Sequence, residues 1–236
     1  MDGGIKVDWQ RAKWILLISF AIVNIYLLFI YINYSFGYDE STYLDAVKNL
    51  RAQDIVIDTK IPKTVRFMRM LKVETKKGEK TYRINKEVND SRSATKLAQE
   101  LIKRYNIGDT NTVLKSVYKT PDGFLVQFGE VYNGYYVDTS YINVNIYNDR
   151  AVVKWSYLTV RGMVGKEKAI IDGIQAIYSV LGETGKLKGT RITATEIGYY
   201  FMWDNAASGE AIPAWKLMVD NKMYYVNAYT GNVEAK

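Results

Sequence analysis

The 236-residue chain contains no cysteine and no histidine, and only three prolines. Without cysteine there is no disulfide to staple a secreted fold and no thiolate nucleophile. Without histidine the commonest general acid–base and a principal zinc ligand disappear together. Most hydrolase triads and zinc centres are thereby excluded, and no metal or cofactor is expected. Carboxylates remain, yet Glu130, Asp138, Asp204 and Glu210 fall at scattered positions with no spacing that sets a pair on one face, so the chain is expected not to be an enzyme. Gly162-Met163-Val164-Gly165-Lys166 and Gly185-Lys186 look like fragments of phosphate loops. They lack the defining residues, since Val160 and Val180 replace the leading glycine and Glu167 and Leu187 replace the Ser or Thr after lysine.

What is present begins with an apolar run from Trp14 to Tyr34, interrupted only by Ser19, Asn24 and Asn33. A bilayer core needs about 20 such residues in a helix, so this run is expected to span a membrane once. Lys6, Arg11 and Lys13 precede it and Asp39 and Glu40 follow, which places residues 1–13 in the cytoplasm and the rest outside. No small-residue cleavage pattern closes the run, so an uncleaved anchor is expected in preference to a cleaved signal peptide. Trp14 and the cluster Tyr31, Tyr34 and Tyr38 sit where interfacial aromatic belts form.

Within the span, Leu17, Ala21, Asn24, Leu28 and Tyr31 recur at helical spacing and make one stripe. An amide in hydrocarbon gains by hydrogen-bonding a neighbouring helix, so this stripe is a candidate partner-binding face. The competing account is that Asn24 bonds back to its own helix.

About 200 residues remain outside, enough for one sizeable domain or two small ones. Beyond the anchor the chain has 29 basic and 23 acidic residues, a net charge of +6, interleaved and without runs of one sign. Such a surface is mostly solvation, and nucleic-acid binding does not fit an extracytoplasmic domain.

Residues 35–63 are expected to form a membrane-proximal helix, with Tyr43, Leu44, Val47 and Leu50 as its stripe, and a linker ending near Pro62. Residues 64–160 are expected as a first module: a strand to Glu74, a turn at Lys76-Lys77-Gly78-Glu79, a returning strand, a helix capped by Ser91, then antiparallel strands. Asn133-Gly134 is a strong hairpin signal among those strands. Residues 161–236 repeat the order, with Gly162 and Gly165 in the entry, a helix along Ile174, Ile177 and Leu181 ending at Gly182, then strands. Val144-Asn145-Ile146-Tyr147 echoes Val226-Asn227-Ala228-Tyr229. The fold class expected is therefore α+β: one transmembrane helix and two related modules, each a helix packed on an antiparallel sheet. Tyr132, Tyr135, Tyr136 and Tyr141 around the hairpin could form a carbohydrate or peptide platform, although strands favour tyrosine in any case.

Val7-Asp8-Trp9-Gln10-Arg11-Ala12-Lys13, running straight into the apolar span, resembles the start of the YycI family. Ile197-Gly198-Tyr199-Tyr200, Pro213-Ala214-Trp215 and Tyr224-Tyr225-Val226-Asn227-Ala228-Tyr229-Thr230-Gly231 are similar to the closing segment of that family and of the related YycH proteins. The resemblance implies a non-enzymatic accessory protein of the essential cell-wall two-component system of Gram-positive bacteria, YycFG. Its implied partners are the sensor histidine kinase, through transmembrane and extracytoplasmic contacts, and a YycH-like protein. Family members open on Met-Asp-Trp, so translation starting at Val7 is hypothesised; intact-mass peptides containing Asp2 or Gly3 would sink that idea. The rival reading is a tethered cell-wall enzyme or wall-polymer or peptide binder.

Overall fold

The computed structural model describes residues 9–36, 40–62, 67–108, 110–185, 188–202 and 206–235. Its helices are α1 (Trp9–Phe36), α2 (Glu40–Ala52), α3 (Ser91–Arg104) and α4 (Gly173–Thr184). Its strands are β1 (Val56–Ile57), β2 (Phe67–Arg83), β3 (Thr112–Thr120), β4 (Gly123–Tyr132), β5 (Tyr135–Ile146), β6 (Arg150–Ala169), β7 (Arg191–Tyr200), β8 (Ser208–Val219), β9 (Lys222–Asn227) and β10 (Val233–Ala235). The chain divides into two units, Met1–Ala46 and Val47–Lys236, each taken by itself. The protein is thus mixed α+β, with an N-terminal apolar helix and a β-rich C-terminal region.

The first unit is dominated by α1, whose 28 residues extend about 42 Å at 1.5 Å per residue. Its stretch Trp9–Phe29 is long and apolar enough to cross a membrane. The described apolar side chains there are exposed, from Trp14 and Leu16 to Phe29. An all-round apolar helix lacking a core of its own has the surface a lipid environment covers.

Leu50, Ile55 and Ile61, from the stretch expected as membrane-proximal helix and linker, are buried in the second unit. Val56 and Ile57 pair in parallel with Arg191 and Ile192, adding β1 to the edge of β7. Ile61 reaches the first residue of α4, where a Cβ on Gly173 would lie 2.4 Å from its methyl.

Strands β3 to β6 run as an antiparallel meander, and β6 continues onto β2. Phe124, Val126 and Phe128 of β4, Ile142, Val144 and Ile146 of β5, and Ala151 and Val153 of β6 are buried, the period of two that gives one core face. They share a core with Ala94, Leu97, Ala98 and Leu101 of α3. The cap of α3 is Asp90, one residue before the expected Ser91, and it forms a reciprocal box with Ser93. Asp172 and Gln175 repeat that box at α4. The helix runs past Gly182 and ends at Gly185, whose φ of 64° is left-handed.

Around α4, buried Ile174, Ile177, Val180 and Leu181 pack in the region of β7 to β10. Trp215, Leu217 and Val219 alternate with Lys216 and Met218 along β8, as a half-buried strand requires. The Trp215 indole N–H donates to Ile171 O at 2.9 Å, so the largest buried side chain leaves no unmet donor.

Two long strands join these regions. β2 runs unbroken through Lys76-Lys77-Gly78-Glu79, where a turn was expected, because β6 pairs with it along its length. Gly78 serves close approach instead of a turn: a Cβ there would sit 2.3 Å from the Trp155 ring on β6. β6 likewise passes Val160 and carries Gly162 and Gly165 within the strand, Gly162 at the register shift of Lys72/Val73 and Gly165 at that of Met68/Met70. All strands belong to one sheet network, and the pairings β5–β6, β6–β2, β2–β8, β8–β7 and β7–β5 close a circuit.

Candidate functional site

On α1, Leu17, Ala21, Asn24 and Leu28 are all exposed, and Tyr31 lies on the helix backbone with its side chain outside the described ones. Asn24 Nδ2 donates to Phe20 O at 2.7 Å, one turn back. That is the self-bonding arrangement weighed from sequence. It engages one amide N–H and leaves the rest of the amide's hydrogen-bonding capacity for other groups.

A cleft of about 230 Å³ opens where β5, β7 and β8 meet. Three backbone irregularities build it. β3 carries a register shift between Leu114 and Ser116, making Lys115 the extra residue of a bulge. The Lys115 stem then crosses Gly129 of β4, where a Cβ would lie 3.1 Å from its methylenes. β5 breaks register with β4 between Val137 and Ile142, and within that break Thr139 has φ of 72°. Such a backbone is strained for a β-branched residue, at a cost of about 1–3 kcal/mol, and strain of this kind clusters at functional positions. Finally, Gly198 lets β7 approach β5, since a Cβ there would meet Tyr136 O at 2.5 Å.

These devices converge on Asp138, whose side chain is 13% exposed. Lys216 Nζ lies 3.2 Å from Asp138 Oδ2, and Lys115 Nζ lies 3.6 Å from Oδ1. The Tyr225 hydroxyl donates to Oδ2. Burial pushes the Asp138 carboxyl up, but the Lys216 charge, the Tyr225 hydroxyl and the Lys115 charge together hold it below the ordinary aspartate value. Asp138 is therefore an anion at neutral pH.

Aromatic rings enclose this group. Tyr200 stacks on Tyr225 at 4.2 Å between centroids, and Lys115 Nζ sits 5.5 Å above the Tyr136 ring. Tyr132 and Tyr135 each meet Tyr199 edge-on at 6.4 Å. Burial, and then the neighbouring tyrosines, push the Tyr199 hydroxyl up to about 12, so it stays protonated. Of the hairpin tyrosines, Tyr132 and Tyr135 pack across strands, and Tyr136 lines the cleft. Asn133 and Gly134, with φ of 49° and 85°, make the expected two-residue turn.

Of the other scattered carboxylates, Glu130 is buried on β4, Glu210 is exposed on β8 opposite Lys72, and Asp204 lies outside the described residues. Among the described residues, no three metal-ligating side chains gather. Lys115, Lys216 and Tyr225 were not singled out as site residues by sequence reasoning. The available signals were the Gly-Tyr-Tyr at 198–200 and the tyrosine-flanked hairpin.

A mixed α+β domain on a chain with one N-terminal apolar helix fits a single-pass, membrane-associated protein. The YycI protein family model matches residues 39–229, and the chain belongs to that family. The family is one of regulatory accessory proteins of the YycFG two-component system and is not known for enzymatic activity. No curated protein matches the chain. A crystal structure of an uncharacterized Eubacterium rectale protein is similar at 11% identity and TM-score 0.44, over 64% of this chain and 58% of that one. The chain thus spans under two thirds of that protein. The Bacillus megaterium YpeB C-terminal domain is 12% identical with TM-score 0.37, over 84% of this chain and 97% of that domain.

Proposed function

We propose that this chain is a non-enzymatic, membrane-anchored regulator that binds the sensor histidine kinase of the YycFG system and biases its activity together with a YycH-like partner. The observation that carries this reading is membership of the YycI family over residues 39–229 in a chain that begins with a spanning-length apolar helix. The N-terminus lies in the cytoplasm, by the charges flanking the run, and the β-rich domain lies outside. Its two helix-then-strands stretches act as related modules that offer surfaces to the kinase sensor region or to the YycH-like protein. A regulator shifts a two-state kinase only by binding its states unequally, and anchoring supplies the local concentration for weak contacts to count.

The stripe Leu17, Ala21, Asn24, Leu28 and Tyr31 packs against kinase transmembrane helices in this reading. Intramembrane amides contribute about 0.6–2 kcal/mol, so losing Asn24 weakens association by roughly 3- to 30-fold. Its existing bond to Phe20 O favours the lower end. Full-length Ala21→Leu/Asn24→Leu co-expressed with the kinase is expected to recover less of it on purification. Unchanged recovery with unchanged target-gene output rejects the stripe.

The tyrosine-walled cleft favours one second reading, a wall-polymer or peptide binder tethered by the same helix. Incubation of the full chain with peptidoglycan and teichoic acid separates the two: tight pulldown supports the binder, turnover a tethered cell-wall enzyme, and inertness the regulator.

A further inference from the structure

Four features at the cleft need a common explanation: a bulge that redirects Lys115, a glycine that clears its path, a strained Thr139, and a glycine that draws β7 onto β5. An ion cluster kept for stability alone does not supply one. Replacing buried ion pairs by apolar side chains is often neutral or stabilising, so a mostly buried carboxylate on two lysines is weak evidence of a stabilising device. Bulges and stored strain, in contrast, concentrate where a side chain is aimed at a ligand.

The charge and volume of the cleft define the ligand. Lys115 and Lys216 share the single carboxylate of Asp138, which leaves one positive charge over among these three groups. Each ammonium carries three donors, more than Asp138 takes up. Glu196 lines the cleft from β7, is exposed, and stands directly across from Lys216 in the β7–β8 register. Cationic and anionic groups therefore face one small space between tyrosine rings. At about 230 Å³ the space lies just under the range of about 300–1,000 Å³ that holds drug-sized ligands, and suits one or two amino-acid residues.

We propose that this cleft binds an α-amino carboxylate, with the ligand carboxylate held by Lys115 and Lys216, its ammonium directed to Glu196, and its body against the Tyr136 and Tyr200 rings. A free amino acid and a peptide terminus share this chemistry. The site rests on the cleft alone and does not depend on the kinase interaction.

The test titrates full-length protein in detergent micelles with alanine, alanylalanine and alanylalanine amide, followed by calorimetry and ligand-observed NMR. Millimolar binding of alanine or the dipeptide is expected. Preference for alanine assigns a free amino acid, and preference for the dipeptide assigns a peptide terminus. The amide is expected to bind at least about tenfold more weakly, as loss of one ion pair implies. Lys216→Gln and Lys115→Gln are each expected to weaken the acids by a similar factor while leaving the amide unchanged. Lys115 is one-third exposed, so its variant keeps the test should Lys216→Gln fail to fold. Equal binding of acid and amide, or no binding by any probe up to about 10 mM, overturns the proposal and leaves the cluster as an internal ion group only. Failure here would leave kinase co-purification untouched, and loss of co-purification would leave these titrations untouched.

Discussion

Replacing Asp138 by asparagine removes one charge with almost no change of shape. The amide oxygen still accepts from Tyr225, but Lys115 and Lys216 lose their shared counter-ion. Breaking a fully buried pair costs about 3–5 kcal/mol, because the orphaned charge is stranded. Here the lysine side chains are 35% and 24% exposed, so both ammonium groups turn partly to water. The expected loss at pH 7 is therefore about 2 kcal/mol, near the value of a hydrogen bond to a charged group. For a domain of this size that lowers Tm by about 4–8 °C.

The pH dependence gives a sharper check. The folded-state Asp138 carboxyl titrates below its ordinary value, so its contribution is complete above the unfolded value and is lost as pH falls through the folded one. The gap between native protein and Asp138→Asn should be full at pH 7 and should narrow in acid, below about pH 4. Thermal melts of the full chain at pH 7, 5 and 3 measure it. A gap that persists unchanged at pH 3, or its absence at pH 7, refutes the assignment of Asp138 as the anion holding two lysines.

Gly78→Ala should destabilise by about 1–3 kcal/mol, the usual range for overpacking, because the new methyl meets the Trp155 ring at 2.3 Å. Urea unfolding followed by tryptophan fluorescence reads it, and a neutral result would show that the ring moves aside. Asp172→Ala removes the cap that accepts from Gln175 N at 2.8 Å and should cost about 1 kcal/mol, with Asp172→Ser restoring most of it. Equal stability of the alanine and serine variants in the same denaturation assay would count against the cap.

Elements held by local chemistry could be read directly from the residues. The apolar periodicity of α3 and α4, the Asn133-Gly134 hairpin and the alternation along β8 depend on neighbours a few positions apart. The turn misassigned to Lys76-Lys77-Gly78-Glu79 shows where that approach ends. A glycine in a polar run is the ordinary mark of a turn, and only Trp155, far along the chain, makes it a point of close approach. The Asp138 cluster is harder still, since Lys216 and Tyr225 lie 78 and 87 residues away and no short window contains them. Thr139 gives no signal at all: threonine favours strands, and its left-handed backbone falls where β5 loses register with β4, between Val137 and Ile142. The apolar run, by contrast, conveys its surface chemistry by composition alone, and the bond from Asn24 to Phe20 O needs only helical geometry.

The circuit of pairings through β5, β6, β2, β8 and β7 governs how the β-rich unit comes apart. A repeat read along the chain invites division near Val160, but that bond lies inside β6, and β2 faces β6 on both sides of it. A protease nick there would leave two fragments, each holding half of a strand whose complement is shared. Neither fragment would retain a complete set of backbone partners, so the pieces would have to stay associated to remain folded. Melting should accordingly be a single all-or-none event across Val47–Lys236, with amides of β2 and β6 exchanging only through global opening.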